Sequence, residues 1–506
     1  MSLRKKVGQL MMIGFEGVKI DSDTEAFLRD CHIGGVILFA RNVESLDQIR
    51  RLTTKIRCIA KEPMLIAADQ EGGVVVRFLE ATVFPGNMAL GAIGDPKTAE
   101  SVGSAIGEEL SYLGINLNLA PVLDINNNPQ NPGIGVRSFS DQPELVAKLG
   151  RAFIEGHQRW AWACAKHFPG KGDITLDSHL ELPCVAHDKE RLFKTELVPF
   201  KEAIKAKVGA VMTAHVTFPA IDPTVGLPAT LSEPVLTDLL KEELGFRGVV
   251  ITDDLEMGAI TKHFGIGEAA VRAVLAGADL ILVCHTKEAQ KEAYEALLGA
   301  CESGRIPEKR LEDALSRIAR LKESPKAYPF VKWQENYQLA LDTSLRAITI
   351  LKNNDLPLPK NLHQAIVFFP QIAGLVQVED ILNSETLGPY LCELGIYCTQ
   401  ELYPLKPEGS KIQELVDKAK DKNVIIFCSY NAHLTPEQVN LAKALASLNK
   451  PFIVVALRNP YDYNVLPEAT SFLCTYSYRP LSLKALAAVL TARAEALGTT
   501  PVKVEV

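Results

Sequence analysis

Two groups of titratable residues in the first half of the chain have the residue types of an acid–base site. Lys166 and His167 follow the short apolar run 161–165, and Asp177 precedes His179 by two residues. A carboxylate beside an imidazole can orient the ring and raise its pKa, which suits a general acid near neutral pH. The pattern predicts a strand whose carboxyl end carries the charged groups Lys166 and His167. A loop that carries a titratable pair follows this strand. An isolated Asp-x-His motif also fits an aspartate that caps a turn beside a surface histidine.

The elements that must position these residues form a repeat. In the first two-thirds of the chain, eight short apolar runs alternate with segments of helical periodicity; the runs are 9–15, 35–40, 64–69, 115–124, 161–167, 210–216, 249–253 and 279–284. Continuous apolar strands with helical crossovers suit a parallel sheet that is buried on both faces. Eight such units predict a (β/α)8 barrel of the TIM type. A doubly wound open sheet is the alternative, but it does not require eight regular units.

Polar residues stand at the ends of runs three to eight. They are Asp69, Gln70 and Glu71, then Asp124, Lys166 and His167, His215, Asp253 and Asp254, and His285. In a barrel enzyme the carboxyl ends of the strands face one pocket, where catalytic groups gather. Any one aspartate could instead cap a helix, but six polar ends at the same phase of the repeat favour a common pocket. Zinc bound by His167, His215 and aspartates stays open, although no HExxH motif is present.

The composition and the missing motifs narrow the class of chemistry. The chain has 506 residues, of which 47% are hydrophobic and 23% are charged, and these values fit a soluble protein of two or three domains. Its net charge of −7 gives no electrostatic reason to expect binding to nucleic acid or to an anionic membrane. No run approaches bilayer length, and the ten cysteines form no CxxC pair, so we expect a cytoplasmic enzyme with reduced thiols. No strand is followed by GxGxxG, and GxxxxGK[ST] and GxSxG are absent. A pocket of carboxylates, histidine and cations suits glycoside cleavage, in which one group attacks the anomeric carbon and another protonates the departing oxygen.

These residues resemble the motifs of glycoside hydrolase family 3, and within it the two-domain, NagZ-like β-N-acetylglucosaminidases. The resemblance covers nearly the whole chain, and its motifs occur in order. They are Asp69-Gln70-Glu71-Gly72-Gly73 with Arg77, Pro121-Val122-Leu123-Asp124-Ile125, Val136-Arg137-Ser138-Phe139, Lys166-His167-Phe168-Pro169-Gly170 with Asp177-Ser178-His179, Val211-Met212-Thr213-Ala214-His215-Val216, Pro228-Ala229-Thr230-Leu231-Ser232 and Gly248-Val249-Val250-Ile251-Thr252-Asp253-Asp254-Leu255.

The resemblance implies a role for each matching residue. Asp253 would be the nucleophile that forms a glycosyl-enzyme, and His179 would be the general acid/base with Asp177 as its orienting partner. The remaining matches would hold the hydroxyls and the acetamido group of the sugar: Asp69, Arg77, Arg137, Lys166 and His167. The resemblance implies no cofactor and no metal.

The implied activity is that of an exo-acting, retaining β-N-acetylglucosaminidase. Its substrate would be a GlcNAc-containing oligosaccharide or muropeptide, cleaved in the cytoplasm during cell-wall recycling by a monomer or homodimer. Alternatives within the family are a β-N-acetylglucosaminide phosphorylase, whose acceptor is phosphate, and enzymes acting on chitooligosaccharides or β-glucosides. An inactive sugar-binding protein would be expected to have lost Asp253 or His179, and both are present.

The chain departs from the family pattern at three positions. Val74 and Val76 stand where Arg and Gln are frequent, which predicts a less polar wall near the Asp69–Gly73 motif. Lys171 stands where His is common, and we expect its side chain in solvent, because a lone lysine is usually exposed. Contact with an acidic part of the aglycone, or with an anionic acceptor, is the alternative for Lys171.

The second half of the chain predicts a separate α/β layer domain. We expect the barrel in residues 1–335 and an α/β sandwich domain in residues 345–506. A helical stretch, 336–347, leads into the segment 348–354, which resembles the start of the sandwich domain of the family. Strand-like runs at 365–369, 424–427, 452–456 and 472–476 alternate with helical segments. No acid/base candidate follows these runs, so a structural or dimerising role is expected.

Overall fold

The computed structural model describes residues 1–60, 62–176, 181–323, 330–360, 362–372, 379 and 385–505. Its first eight strands are β1 (Met11–Ile13), β2 (Gly35–Leu38), β3 (Leu65–Ala68), β4 (Leu117–Asn118), β5 (Trp162–Phe168), β6 (Ala210–Thr213), β7 (Val249–Ile251) and β8 (Ile281–Val283). Each strand lies in, or overlaps, one of the eight apolar runs. All neighbours pair in parallel in the order β7-β6-β5-β4-β3-β2-β1-β8, and a single parallel bridge between Ile251 and Leu280 joins the two ends. The predicted (β/α)8 barrel is confirmed.

Thirteen α- and π-helices accompany the barrel sheet in the described residues, and most of them cover its outer face. They are α1 (Leu3–Gly8), α2 (Ser22–Asp30), α3 (Leu46–Ala60), α4 (Asn87–Ile93), α5 (Pro96–Tyr112), α6 (Pro143–His157), α7 (Lys189–Lys194), α8 (Val198–Lys205), a π-helix (Pro234–Glu243), α9 (Gly258–Thr261), α10 (Ile266–Ala276), α11 (Lys287–Glu302) and α12 (Glu308–Lys322). Nearly every strand residue is buried, because one face of each strand fills the barrel and the other meets a helix. None of the described helices is both long and apolar enough to cross a membrane.

Helix capping uses a different set of aspartates from those at the strand ends. Asp21, Asp95 and Asp188 precede α2, α5 and α7, and each carboxylate accepts a hydrogen bond from a backbone N–H in the first turn. The carboxylates of Asp69 and Asp253 instead face the cavity at the carboxyl end of the barrel. Capping therefore does not account for these two strand-end carboxylates.

A second sheet follows the barrel, as the sequence predicts. Its elements are α13 (Trp333–Ala347), β9 (Thr349–Lys352), β10 (Ala365–Gln371), α14 (Leu387–Glu393), β11 (Cys398–Pro404), α15 (Gly409–Ala419), β12 (Val424–Ser429), α16 (Pro436–Ala446), β13 (Phe452–Ala456), β14 (Ser471–Cys474) and α17 (Pro480–Leu490). The strand order is β11-β10-β12-β13-β14-β9, with β9 antiparallel to β14 and the other pairs parallel. The sequence does not predict β11, because this edge strand is largely solvent-accessible and lacks a continuous apolar run.

The two sheets have separate cores, and the second core includes residues of the barrel chain. These residues are Val74, Val75, Met88, Ala89, Ala92 and Val136. Val74 therefore packs toward the second domain, and Val76 is fully buried without lining the cavity. The two valines are buried apolar side chains next to the Asp69–Gly73 segment, and neither lines the cavity at the carboxyl end of the barrel.

Candidate active site

The carboxyl ends of the barrel strands surround a cavity of about 280 Å³. Six of the eight predicted site residues line it: Asp69, Arg77, Arg137, Lys166, His167 and Asp253. The wall also carries apolar side chains such as Ile37, Leu119 and Met212. The other two predicted site residues, Asp177 and His179, lie outside the described residues. A volume at the small end of ligand pockets suits a ligand the size of one monosaccharide.

Alternating charges form one side of the site. The Lys166 ammonium lies 2.8 Å from Asp69 Oδ1 and 2.7 Å from Glu71 Oε1. Arg137 donates to both oxygens of Glu71, at 2.9 and 2.8 Å, and Arg77 lies 3.2 Å from Asp69 Oδ2. All five side chains are buried. Each buried charge thus has an opposite charge within hydrogen-bonding distance, as a buried ionic network requires.

The network controls the protonation of its members. Burial alone would raise the pKa of Asp69, but the charges of Lys166 and Arg77 outweigh it and lower that pKa to about 2. Burial likewise opposes the charge on Glu71, and Arg137 and Lys166 lower its pKa. Burial opposes the charge on Lys166, yet Asp69 and Glu71 raise its pKa. Both carboxylates therefore stay ionised and can accept hydrogen bonds from hydroxyl groups at neutral pH.

A glycine turn brings Arg77 back to the end of β3. Gly72 and Gly73 have φ angles of +86° and +60°, and a Cβ at Gly73 would lie 2.9 Å from the carbonyl oxygen of Pro85. Glycine is therefore suited to these positions, because it adopts positive φ angles without strain and has no Cβ to clash with the neighbouring backbone. The turn is closed by Gln70, whose Oε1 accepts the Arg77 backbone N–H at 2.9 Å.

Asp124 and His167 form a second group, at the ends of β4 and β5. Nδ1 of His167 lies 2.7 Å from Oδ2 of the fully buried Asp124. Burial raises the pKa of Asp124, although Lys171 and other donors oppose that change. The contact directs Nε2 of His167 toward Asp253, whose Oδ2 lies 4.0 Å away. Asp124 thus fixes the orientation of a histidine that borders the cavity.

Asp253 and Asp254 both border the cavity, but their carboxylates have different partners. Oδ1 of Asp253 accepts the backbone N–H of Asp254 at 2.9 Å, and its side chain is 17% exposed. Oδ1 of Asp254 accepts the backbone N–H groups of Cys284 at 3.1 Å and Glu256 at 3.2 Å. Oδ2 of Asp254 lies 3.2 Å from Nε2 of His285, and the Asp254 side chain is 13% exposed, so Asp253 is the more accessible member of the pair.

Lys171 occupies a place that the sequence does not predict. Its side chain is 5% exposed, and its ammonium lies 3.6 Å from Asp253 Oδ2. Its backbone N–H donates to Asp124 Oδ1 at 2.7 Å. The expectation of a solvent-exposed lysine is wrong, because the segment after β5 folds back over Asp124 and carries the side chain into the cavity. No local sequence signal marks this position.

Other strand-end residues have supporting places. Glu71 and Asp124 complete the two charged groups. The sequence places both at polar strand ends, of runs three and four, but assigns neither of them a role. His215 is fully buried between Thr230 Oγ1 at 2.7 Å and the Asp254 carbonyl at 2.9 Å, and burial lowers its pKa. His215 therefore supports the turn after β7 from behind. No cluster of three or more His, Cys, Asp or Glu side chains within the described ranges could hold a metal ion.

The arrangement combines an accessible carboxylate with flanking cations and ionised hydrogen-bond acceptors. Asp253 can attack or stabilise an electron-poor carbon, while Asp69 and its partners can hold hydroxyl groups beside it. Protonation of a leaving oxygen requires a further group, and the sequence offers His179 for that role.

The chain is similar to known proteins over nearly its whole length. Residues 2–321 match the family described as Glycosyl hydrolase family 3 N terminal domain. A beta-hexosaminidase A from Pseudoalteromonas piscicida is 33% identical over 93% of this chain and 89% of its own length. A beta-hexosaminidase from Alkalilimnicola ehrlichii is 39% identical over 56% of this chain and 82% of its own. The solved structure of a glycoside hydrolase family 3 beta-N-acetylglucosaminidase from Paenibacillus sp. has a TM-score of 0.95 at 42% identity, covering 99% of both chains.

Proposed function

The chain belongs to glycoside hydrolase family 3, and we propose that it is an exo-acting, retaining β-N-acetylglucosaminidase that removes terminal non-reducing GlcNAc. Two findings support this activity. The similar proteins that cover most of this chain bear the names beta-hexosaminidase and beta-N-acetylglucosaminidase. The cavity is the size of one monosaccharide, which suits cleavage from a chain end.

In the proposed mechanism Asp253 is the nucleophile. Its carboxylate forms a bond to the anomeric carbon while the bond from that carbon to the glycosidic oxygen breaks, and His179 gives a proton to that oxygen. A water molecule then loses its proton to His179 and attacks the same carbon, which releases Asp253 and returns the anomeric configuration to β. Asp177 orients the imidazole for both proton transfers.

The proposed binding residues are Asp69, Arg77, Arg137, Lys166 and His167. Asp69 is ionised through the whole neutral range and can accept hydrogen bonds from sugar hydroxyls. The cations around it can donate to hydroxyl oxygens and to the acetamido carbonyl. This division of donors and acceptors suits a neutral sugar with several hydroxyl groups.

We extend the proposal to the physiological substrate and to the domain limits. GlcNAc-containing muropeptide fragments, cleaved in the cytoplasm during cell-wall recycling, are the substrate that the resemblance to NagZ-like enzymes implies. The proposed catalytic domain is residues 1–335, and the proposed sandwich domain is residues 345–506.

The observation that carries the proposal is the accessible carboxylate of Asp253 at the end of β7, with its Oδ2 between Lys171 and His167. Labelling with a fluorosugar that traps the glycosyl-enzyme, followed by peptide mapping, tests it. We expect the label on Asp253. A label on Asp254 or Asp124 would overturn the assignment.

Phosphorolysis is a second candidate, and Lys171 favours it, because an ammonium in the cavity can attract an anionic acceptor. The discriminating experiment follows cleavage of an aryl β-GlcNAc by NMR, in phosphate buffer and in a phosphate-free buffer. Hydrolysis gives GlcNAc that is initially the β anomer in both buffers. Substantial GlcNAc-1-phosphate in phosphate buffer would identify a phosphorylase, and initial release of the α anomer would exclude retention.

A further inference from the structure

One loop of the barrel connects the second domain with the segment that carries Lys171. This loop, residues 126–135, follows β4. At its first residue, Asn126 Nδ2 donates to the hydroxyl of Tyr461 at 3.0 Å. Three residues later, the carbonyl oxygen of Pro129 lies 3.1 Å from Nε2 of His433. Both partners belong to the second domain, so that domain holds the loop at two points.

The second domain fixes these two side chains firmly. His433 Nδ1 lies 2.8 Å from Asp462 Oδ1, and the other oxygen of Asp462 accepts the hydroxyl of Ser429 at 2.7 Å. The rings of His433 and Tyr461 pack edge to face with centroids 5.5 Å apart. The pair is therefore a rigid support and not a pair of mobile surface side chains.

The middle of the 126–135 loop holds the backbone at Lys171. Asn131 Nδ2 donates to the carbonyl oxygens of Lys171 at 2.9 Å and Gly172 at 2.8 Å. Asn131 Oδ1 accepts the backbone N–H groups of Gly133 and Ile134 at 3.0 and 2.9 Å. An amide can satisfy both pairs at once, because it has a donor and an acceptor. Asn131 thus couples the fold of the loop to the backbone at Lys171.

The backbone at Lys171 has little room to adjust. A Cβ at Gly172 would lie 1.6 Å from the carbonyl oxygen of Ile125, so the two backbones are in close contact. Lys171 itself is held by its N–H bond to Asp124 and by Asn131. A shift of the loop would therefore move the Lys171 backbone, and with it the ammonium that lies 3.6 Å from Asp253.

We propose that Tyr461 and His433 are positioning residues that act through the 126–135 loop to hold the Lys171 ammonium beside Asp253. This inference rests on the proposed function, in which Asp253 is the nucleophile. When water breaks the bond between Asp253 and the anomeric carbon, the electron pair of that bond returns to the carboxylate. The Lys171 ammonium stabilises the negative charge that forms there. The second domain thus acts on the second chemical step without touching the substrate.

The kinetic test uses an aryl GlcNAc with an activated leaving group such as dinitrophenolate, so that release of Asp253 limits turnover. We expect Lys171→Met to lower kcat about 100-fold and Tyr461→Phe about 10-fold. Both variants should also lower KM, because the glycosyl-enzyme accumulates. The double variant should be no slower than Lys171→Met alone. Tyr463→Phe is the matched control, since Tyr463 lies in the same turn and packs on Phe472 instead.

Three kinetic results would overturn the inference. They are an unchanged kcat in Tyr461→Phe, a rise in KM in place of a fall, and losses that multiply in the double variant. If Tyr461→Phe lowers the melting temperature, the kinetic test is repeated with His433→Gln, which changes the other contact between the second domain and the 126–135 loop, the one to the Pro129 carbonyl.

Hydrogen exchange of the peptide 166–176 gives a second readout that does not depend on activity. We expect faster exchange at Lys171 and Gly172 in Tyr461→Phe than in the wild type or in Tyr463→Phe. If the wild type cleaves no GlcNAc glycoside, the proposed function fails, but hydrogen exchange still tests whether Tyr461 and His433 hold the backbone at Lys171. Unchanged exchange in both Tyr461→Phe and His433→Gln would refute that positioning role.

Discussion

Asp253 and Asp254 are neighbours in sequence, yet their carboxylates have different surroundings. The backbone N–H groups that Asp254 accepts come from its own turn and from the end of β8, so one of its oxygens is committed to holding the wall. Oδ1 of Asp253 accepts the backbone N–H of Asp254, and its Oδ2 lies 3.6 Å from the Lys171 ammonium and 4.0 Å from Nε2 of His167. A carboxylate becomes a nucleophile where its lone pairs remain directed at the ligand.

The proposed acid/base pair gives a prediction at this scale. His179→Ala should lower kcat/KM for an aryl GlcNAc with a poor leaving group by about 10²–10⁴-fold, because the departing oxygen is no longer protonated. It should have much less effect with an activated phenolate, which leaves without a proton. Asp177→Asn should be milder and should change the pH profile. Steady-state rates with both substrates check this, and an equal loss on both would assign His179 to binding or folding.

Asp69 gives a prediction on stability against pH. Its pKa is lowered from 3.8 in the unfolded chain to about 2 in the folded protein. A carboxyl group whose pKa is lower in the folded protein than in the unfolded chain stabilises the fold at pH values above its unfolded pKa. This stabilisation is lost as the pH falls toward the pKa of the folded protein. Asp69→Asn should therefore cost about 2 kcal/mol at pH 5–7, with a smaller difference from the wild type below pH 4. Denaturant unfolding at several pH values measures it; a constant difference down to pH 3 would contradict it.

At the scale of elements, strand ends deliver the charged groups and loops from both domains fix their geometry. Gly73 and Val74 follow Glu71, and their carbonyl oxygens accept hydrogen bonds from the buried Arg479 of the second domain, at 2.9 Å and 3.4 Å. The turn after β3 is thus held from outside the barrel. Because Glu71 in turn holds Arg137 and Lys166, the position of this turn affects the charged network around Asp69.

Arg479→Met should weaken substrate binding through this turn. We expect KM for an aryl GlcNAc to rise about 10-fold with a smaller change in kcat, since the donors of the network shift away from the sugar. Arg493→Met is the control, because Arg493 is an exposed arginine of the same domain. Michaelis–Menten kinetics on both variants check it, and equal KM values would mean that the Arg479 contacts are not needed for binding.

At the scale of the whole molecule, the two domains share buried surface. Barrel residues such as Val74, Met88 and Val136 belong to the core of the second domain. Burying such side chains stabilises the contact by an amount on the order of 5–10 kcal/mol, before the entropy of ordering is subtracted. We therefore expect the domains to unfold together.

A chain of residues 1–335 should consequently be less stable than the full protein. With those apolar side chains exposed, it should aggregate or melt at a lower temperature, whereas the full chain should show one calorimetric transition. Met88→Glu in the full chain should reproduce the loss, and Leu402→Glu on the exposed edge strand should not. Two well-separated transitions in the full chain would contradict this prediction.

The sequence by itself determined the barrel, the second α/β domain and the strand ends that border the pocket. This was possible because parallel strands buried on both faces are continuous apolar runs, and their carboxyl ends are where the polarity changes. The edge strand β11 was missed, because a strand with exposed residues lacks such a run. Only the tertiary structure decided that Lys171 lies beside Asp253, and that Arg479, Tyr461 and His433 of the second domain hold loops of the barrel. These contacts join residues up to several hundred positions apart through backbone carbonyls and loop packing, and neither leaves a periodic pattern in the sequence.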